Sequence, residues 1–376
     1  AENFGTYFPS YLANGYFSTM TSVRGTEGNR AYMVAFMDYK PGDIARPAAI
    51  PGWSEIDYNP GGGWLNSTRV DKKIFADYAQ TLDMHDGTLS TSYRFAYANK
   101  STDIKVTTFV SQASNHLAAT QLSITPQFDG SVQLTFPIRL WSEHEPRFPI
   151  ATMTGDEMIA AVIASGQTLD NKPVPTPDRA AVWYPGYTRV LASDGDTKEL
   201  TLWLDGRAEH GLTMAEAAAI GLPPGLAIES VKLEKGPHKL SLNLTVKVQK
   251  GKTYTFTKYL AASRQNWGGD ARQDVVLASA ARKKGFAALL AEHQTAWHEL
   301  WKSDIVVDGD PDVQRAVHSD LYYLLSNSTV GTAWPMGACA LTPGYAGHAF
   351  WDSDSWVFPA LLLLHPERAK PIVMFR

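Results

Sequence analysis

The sequence predicts a mixed β and α chain, an antiparallel β-sandwich followed by helices, on three observations. Its first two-thirds is rich in short β-branched and aromatic runs set apart by Gly- and Pro-bearing connections. One run, residues 240–248, alternates apolar and polar side chains with period two. Beyond Asn266 the apolar spacing changes to the helical period.

The strand-like runs are residues 104–110, 117–124, 132–140 and 200–204. Asp129-Gly130 and Asp194-Gly195-Asp196 supply turn chemistry between such runs. In residues 239–260, Leu240, Leu242, Leu244, Val246 and Val248 alternate with Ser241, Asn243, Thr245 and Lys247. Gly251 breaks the run and Tyr254 and Phe256 resume it, which reads as a hairpin with one buried face. Many short strands with such connections argue for a large antiparallel sandwich. Residues 157–181 carry no clear period, and the MAEAAAI stretch within residues 209–225 reads as a short helix inserted among strands.

Asp270 is placed to cap a helix, and Phe286, Leu289, Leu290, Trp297, Leu300 and Trp301 then form one apolar stripe. This predicts a linker helix pair packed on the sandwich. After an extended piece at residues 305–307, Asp310-Pro311 starts another helix, Asp as cap and Pro at the first helical position. Val313, Val317, Leu321, Leu324 and Leu325 form its apolar face. A Gly- and Pro-rich stretch, residues 331–347, leads into FWDSDSWVFPALLLLHPERA.

The chain has 376 residues, and Lys+Arg 34 against Asp+Glu 38 leave a net charge of −4. No basic excess exists to neutralise phosphates, so nucleic acid is excluded as an expected partner. The longest apolar run, residues 357–364, contains Pro359 and falls short of the ~20 residues of a membrane span, so no membrane partner is expected. The single cysteine, Cys339, excludes an internal disulfide framework and reads as a small core residue. The opening residue is Ala1 rather than Met, which fits a processed exported form. A periplasmic or secreted location is expected, with the cytoplasm as the alternative. The sequons at Asn66, Asn99, Asn243 and Asn327 read as chance, since Asn243 lies in a strand-like run.

Several motifs fail on spacing. The acids from Asp308 to Asp312 begin like a calcium loop, but the sixth position is Val313 and the twelfth Ser319. Gly61-Gly62-Gly63 lacks the Lys-Ser/Thr of a phosphate cradle. In Glu143-His144-Glu145, strand geometry turns the His away from both acids. His293 and His298 are five apart, not the four that share a helix face for zinc. No metal and no cofactor is expected.

One segment concentrates chemistry. Between Phe350 and Phe358 stand two indoles, two phenyl rings and the carboxylates Asp352 and Asp354, with Tyr345 just before. A sugar offers C–H faces for an aromatic plane and hydroxyls for carboxylate acceptance. A bland reading competes: a helix start capped by Asp352 or Asp354, with the aromatics buried beneath.

GHAFWDSDSWVFP resembles the GHxFWDxExxxxP segment of glycoside hydrolase family 65, a family of disaccharide phosphorylases, acid trehalases, kojibiose hydrolases and glucosylgalactosyl-hydroxylysine glucosidases. EHQTAWHELWKSDIVVDGDPDVQRAVHSDLYYLLSNS is similar to the family's linker helix and first barrel helix, and LANGYFS to its opening strand motif. The resemblance implies an N-terminal antiparallel β-supersandwich (1–265), a helical linker (266–303) and the start of an (α/α)6 barrel (304–376). It makes Trp351 and Asp352 the holders of the non-reducing glucose, with Phe350, Tyr345 and Asp354 as further substrate-binding residues. Asp354 stands where the family usually has Glu, which leans towards the hydrolase branches.

The resemblance also implies that no catalytic residue lies in this chain: the Glu acid, and the second carboxylate or phosphate loop, belong to later barrel loops. A twelve-helix barrel needs more than the 73 residues from Asp304 to Arg376 (376 − 303). The expected partners are therefore a small-molecule sugar substrate, the remaining C-terminal part of the enzyme and, as in many family members, a second copy in a homodimer. The implied function is an inverting α-glucoside hydrolase acting on a kojibiose- or trehalose-like disaccharide or glucosyl conjugate. The alternatives are an inverting phosphorylase releasing β-glucose-1-phosphate and a non-catalytic carbohydrate-binding sandwich.

Overall fold

The computed structural model describes residues 10–27, 31–39, 45–140, 186–268, 270–342 and 344–376. The 143–145 triplet and the ambiguous 157–181 segment lie outside the described residues.

The strands are β1 (Tyr11–Ala13), β2 (Ser18–Met20), β3 (Met37–Asp38), β4 (Arg46–Ala49), β5 (Asp57–Asn59), β6 (Phe75–Asp83), β7 (Thr88–Tyr97), β8 (Lys100–Val110), β9 (Leu117–Pro126) and β10 (Gly130–Arg139). They continue with β11 (Gly186–Asp196), β12 (Thr201–Ala208), β13 (Thr213–Gly221), β14 (Ala227–Lys235), β15 (Lys239–Val248) and β16 (Tyr254–Arg264). Among the described residues they form a ten-stranded sheet ordered β3-β4-β11-β12-β13-β16-β9-β8-β7-β6 and a four-stranded sheet ordered β14-β15-β10-β5; β1 and β2 pair separately. All pairings are antiparallel except the short contact of β4 with β11. The expected mixed class, with large antiparallel sheets first and helices after, is what the molecule shows.

The two large sheets stack face to face. Phe136 of β10 and Phe256 of β16 meet across the gap with ring centroids 6.2 Å apart. Around them Leu134, Leu242 and Leu244 from the small sheet pack with Leu122, Ile124, Leu202 and Leu204 from the large one. Removing such apolar surface from water is the main stabilising contribution, at about 25 cal/mol per Å².

The expected hairpin at 239–260 is not formed. β15 pairs with β10 and β14, whereas β16 pairs with β13 and β9, so the chain turns at Gly251 from one sheet into the other. The alternation in β15 is real: its apolar side chains are buried while Asn243, Thr245 and Lys247 are less so. Period two reports which face is buried, not which strand is the neighbour.

The MAEAAAI stretch is also not a helix; it lies in β13. Met214, Ala218 and Ile220 enter the main core, while Ala219 meets Ala261 and Ala278 on the opposite face. Burial on both faces removes the alternation, and small side chains let a helix approach closely. Asp194 and Gly195 pair within β11 opposite Trp203 and Leu202, so the reversal falls just after them, at residues 197–200.

The helices are α1 (Ala271–Lys284), α2 (Phe286–Leu300), α3 (Pro311–Asn327), α4 (Phe358–Leu364) and α5 (Pro366–Phe375). Both expected caps are made: Asp270 accepts N–H bonds from Arg272 and Gln273, and Asp310 from Asp312 and Val313. Helix α2 lays Trp297 into a core with Tyr322, Leu325, Leu361 and Ile372, so it joins the sheets to the later helices. Of its expected stripe, Leu289 and Trp297 are buried. On α3, Leu321 and Leu325 are buried but Val313 is exposed.

The opening turn of LANGYFS docks on the end of α3. Asn14 accepts from the N–H groups of Tyr16 and Phe17 and donates to the carbonyl of Ser111. Gly15, at φ +87°, faces the Ser328 carbonyl, and the Tyr16 hydroxyl donates to the Val330 carbonyl at 2.8 Å.

Candidate functional site

The aromatic and acidic segment is held against β4, the second strand of the large sheet, and the residue before it. Tyr345 and Ala346 adopt left-handed backbone angles (φ 48° and 54°), turning the chain sharply before Gly347. At Gly347 a Cβ would fall 2.2 Å from Pro47 Cγ of β4, so only glycine admits this approach. His348 then fixes the segment: its Nε2 lies 2.7 Å from the Ala45 carbonyl, and its own carbonyl accepts from Ala338 N–H at 3.2 Å. Ser353 N–H bonds to the Phe350 carbonyl, and residues 353–357 form a wide π turn that feeds α4. Such turns often mark functional positions in helices.

The bland reading holds in part: residues 351–352 already carry helical geometry and start a helical run, but the aromatics do not lie buried beneath it. Trp351 is 73% and Trp356 75% exposed, and Tyr345 and Phe350 are exposed as well. Tyr345 and Phe350 meet edge to face at 5.7 Å. Asp352 caps no backbone N–H, and its carboxylate faces solvent. Asp354 is bound differently from its neighbour: Arg376 forks it, Nε 3.1 Å from Oδ1 and Nη2 2.6 Å from Oδ2. The Arg376 guanidinium beside Asp354 holds its carboxyl below the usual carboxylate range. The same guanidinium lies 4.7 Å from the centroid of the Trp351 ring. The fold thus gathers Trp351, Asp354 and Arg376 into one unit and Tyr345 and Phe350 into another, with Asp352 between Trp351 and Asp354 in sequence.

Arg376 was not a sequence candidate; nothing local in a helical run ending Met-Phe-Arg signals a return to Trp351. Nearby, a cavity of about 660 Å³ opens between α3 and residues 336–342, lined by Tyr11, Asp320, Tyr323, Asn327 and Cys339. Cys339 is half-buried on this wall rather than in the core. Ala338, which anchors His348, lines the same wall, so cavity and aromatic segment adjoin. Elsewhere, two groups of side chains bring potential metal-ligand atoms within 4.8 Å of one another: His85, Asp86 and His298, and Asp38, Glu209 and His210. His293 is not among them; it is buried and bonded to backbone on both ring nitrogens. Among the described residues, no helix is long and apolar enough to cross a membrane.

Comparison with known proteins gives the setting. Residues 10–300 match the model of the glycosyl hydrolase family 65 N-terminal domain. A kojibiose hydrolase from Mucilaginibacter mallensis is 54% identical over 99 residues, which cover 26% of this chain and 14% of that protein. An α,α-trehalose phosphorylase from Thermoanaerobacter brockii is 24% identical across 97% of this chain and 46% of its own. Among solved structures, a candidate kojibiose phosphorylase from the human microbiome superposes with a TM-score of 0.74 at 16% identity, again over 97% of this chain and 46% of that one. The chain therefore spans about half the length of these full-span relatives.

Proposed function

The chain belongs to glycosyl hydrolase family 65, and from that premise we propose that it forms the N-terminal part of an inverting α-glucoside hydrolase acting on a kojibiose- or trehalose-like disaccharide or a glucosyl conjugate. In this reading residues 1–265 are the sandwich, 266–303 the connecting helices and 304–376 the opening of the catalytic barrel. The barrel is completed by further polypeptide that carries the proton donor.

The observation that carries the proposal is the exposed Trp351 indole beside the free carboxylate of Asp352, at a helix start braced by His348 and Gly347. The indole stacks on the C–H face of the glucose ring and Asp352 accepts two of its hydroxyls. Tyr345 and Phe350 border the pocket, and Asp354 works through Arg376 to hold the indole plane. Positioning of this kind converts remote binding energy into orientation at C1. Water then attacks from the opposite face while an acid protonates the glycosidic oxygen, the two carboxyls standing ~6.5–9.5 Å apart.

The hydrolase branch is favoured by the similarity to kojibiose hydrolase and by Asp354. The second reading, an inverting phosphorylase, is favoured by the similarity to trehalose phosphorylase along nearly the whole chain. Incubating the complete enzyme with kojibiose or trehalose, with and without inorganic phosphate, separates them. Phosphate-independent release of glucose supports hydrolysis; phosphate-dependent formation of β-glucose-1-phosphate overturns it in favour of the alternative.

A further inference from the structure

The turn that joins β6 to β7 is clamped residue by residue to one face of α2. The N–H groups of His85 and Asp86 both bond to Asp83 Oδ1, at 3.1 and 3.0 Å, which shapes the turn. The Met84 carbonyl accepts from the Trp301 indole N–H at 3.0 Å. The Gly87 carbonyl lies 3.0 Å from His293 Nε2, and its Cα sits so close to Trp297 that a Cβ would fall 1.9 Å from the indole nitrogen.

Within this clamp, His85, Asp86 and His298 converge. Asp86 Oδ1 lies 2.8 Å from His298 Nε2 and 3.5 Å from His85 Nδ1. The two imidazoles stack with centroids 4.1 Å apart and planes 28° apart. Asp86 Oδ2 is held at 2.7 Å by Gln294, so the carboxylate is oriented from behind, as metal-ligating carboxylates commonly are.

We propose that His85 Nδ1, Asp86 Oδ1 and His298 Nε2 form a binding site for one divalent transition-metal ion of the zinc class, clipping the β6–β7 turn to helix α2. Ligand atoms around a tetrahedral ion with bonds of about 2.0–2.1 Å stand about 3.4 Å apart. The two separations to Asp86 already bracket that spacing. All three ligand atoms lie within 4.8 Å of one another, and His85, whose side chain is 64% exposed, is free to swing in and close the remaining gap. Two imidazoles and one carboxylate select zinc, nickel or copper over magnesium or calcium, which prefer all-oxygen shells. Binding moves the His298 ring proton from Nε2 to Nδ1, and water fills the fourth position.

The test is a calorimetric titration of the chelator-treated protein with Zn²⁺, with Mg²⁺ in parallel. One Zn²⁺ is expected to bind per chain and to raise the melting temperature, because the ion binds the folded state. His85→Ala and His298→Gln are each expected to weaken binding by at least about tenfold. Both residues are exposed, and Gln keeps a donor towards Asp86, so circular dichroism should show the fold unchanged. Cys339→Ser and His210→Ala are expected to leave the affinity intact, excluding the thiol and the second His–carboxylate group. No saturable Zn²⁺ binding, equal binding of Mg²⁺, or an affinity lost with Cys339→Ser or His210→Ala but kept in His298→Gln would overturn the proposal.

Discussion

Gly15 and Ser328 touch backbone to backbone, so tightly that a Cβ on Gly15 would stand 2.2 Å from the Ser328 carbonyl oxygen. That oxygen also accepts from Arg368 Nη1 at 2.8 Å, so one carbonyl ties the opening turn, the end of α3 and α5 together. Gly15→Ala must strain a positive-φ backbone and push this carbonyl away. A loss of about 2–3 kcal/mol in unfolding free energy is expected from denaturant titration.

Asp352→Ala in the complete enzyme should lower kcat/KM by about 10²-fold or more with far-UV circular dichroism unchanged, since the side chain is exposed and caps nothing. Trp351→Ala should act mainly through KM if the indole binds ground state and transition state alike. Near-wild-type kinetics for Asp352→Ala would remove the glucose-holding assignment.

Burial pushes the Asp274 carboxyl up to about 7, with Asp270 and Asp205 adding to the shift against a hydrogen bond from Ser263. A carboxyl whose folded pKa lies above its unfolded value holds its proton better when folded. Its stability contribution is complete below about pH 4 and is lost as pH rises towards 7. The part of the stability that Asp274 contributes should therefore fall between pH 4 and 7, read as the difference in denaturant midpoint between the native protein and Asp274→Asn. Asp274→Asn keeps an acceptor for Ser263 and removes only the titrating proton, so the gap between the two proteins should change with pH in that window.

His293 is the opposite case. Its Nδ1 accepts from Gln112 N–H at 3.1 Å and its Nε2 faces the Gly87 carbonyl, so the fold requires the neutral ring. Burial pushes its pKa down to about 4, against the favourable carbonyl of Gly87. A base with a depressed folded pKa stabilises fully above about pH 6.5 and loses that contribution as pH falls towards 4. His293→Phe should be less stable at pH 7, leaving Gly87 and Gln112 unpaired, yet show a shallower loss on acidification.

The legible parts of the fold were those where one local rule acted alone. Asp270 and Asp310-Pro311 are caps in the sequence and in the structure. β15 shows its buried face because its other side is wet. β13 hid itself because α1 covers it, and the resulting alanines mimic a helix. The β15–β16 corner hid because Gly251 serves a change of sheet as readily as a hairpin. At the candidate site, Trp351, Asp352 and their neighbours are contiguous and stood out. Arg376, and the approach of Asp86 to His298, depend on distant segments folding together, and no local pattern encodes such meetings.

The contact of Gly347 with Pro47 couples the sandwich to the candidate site. Pro47 sits in β4, the second strand of the large sheet, between β3 and β11, and any tilt of that end of the sheet lifts or lowers the segment bearing Trp351. In the proposed function the β-layer serves as a levelling foot for the sugar-holding side chains, and a substitution under Pro47 would be felt as a misaligned substrate before it was felt as a weaker protein.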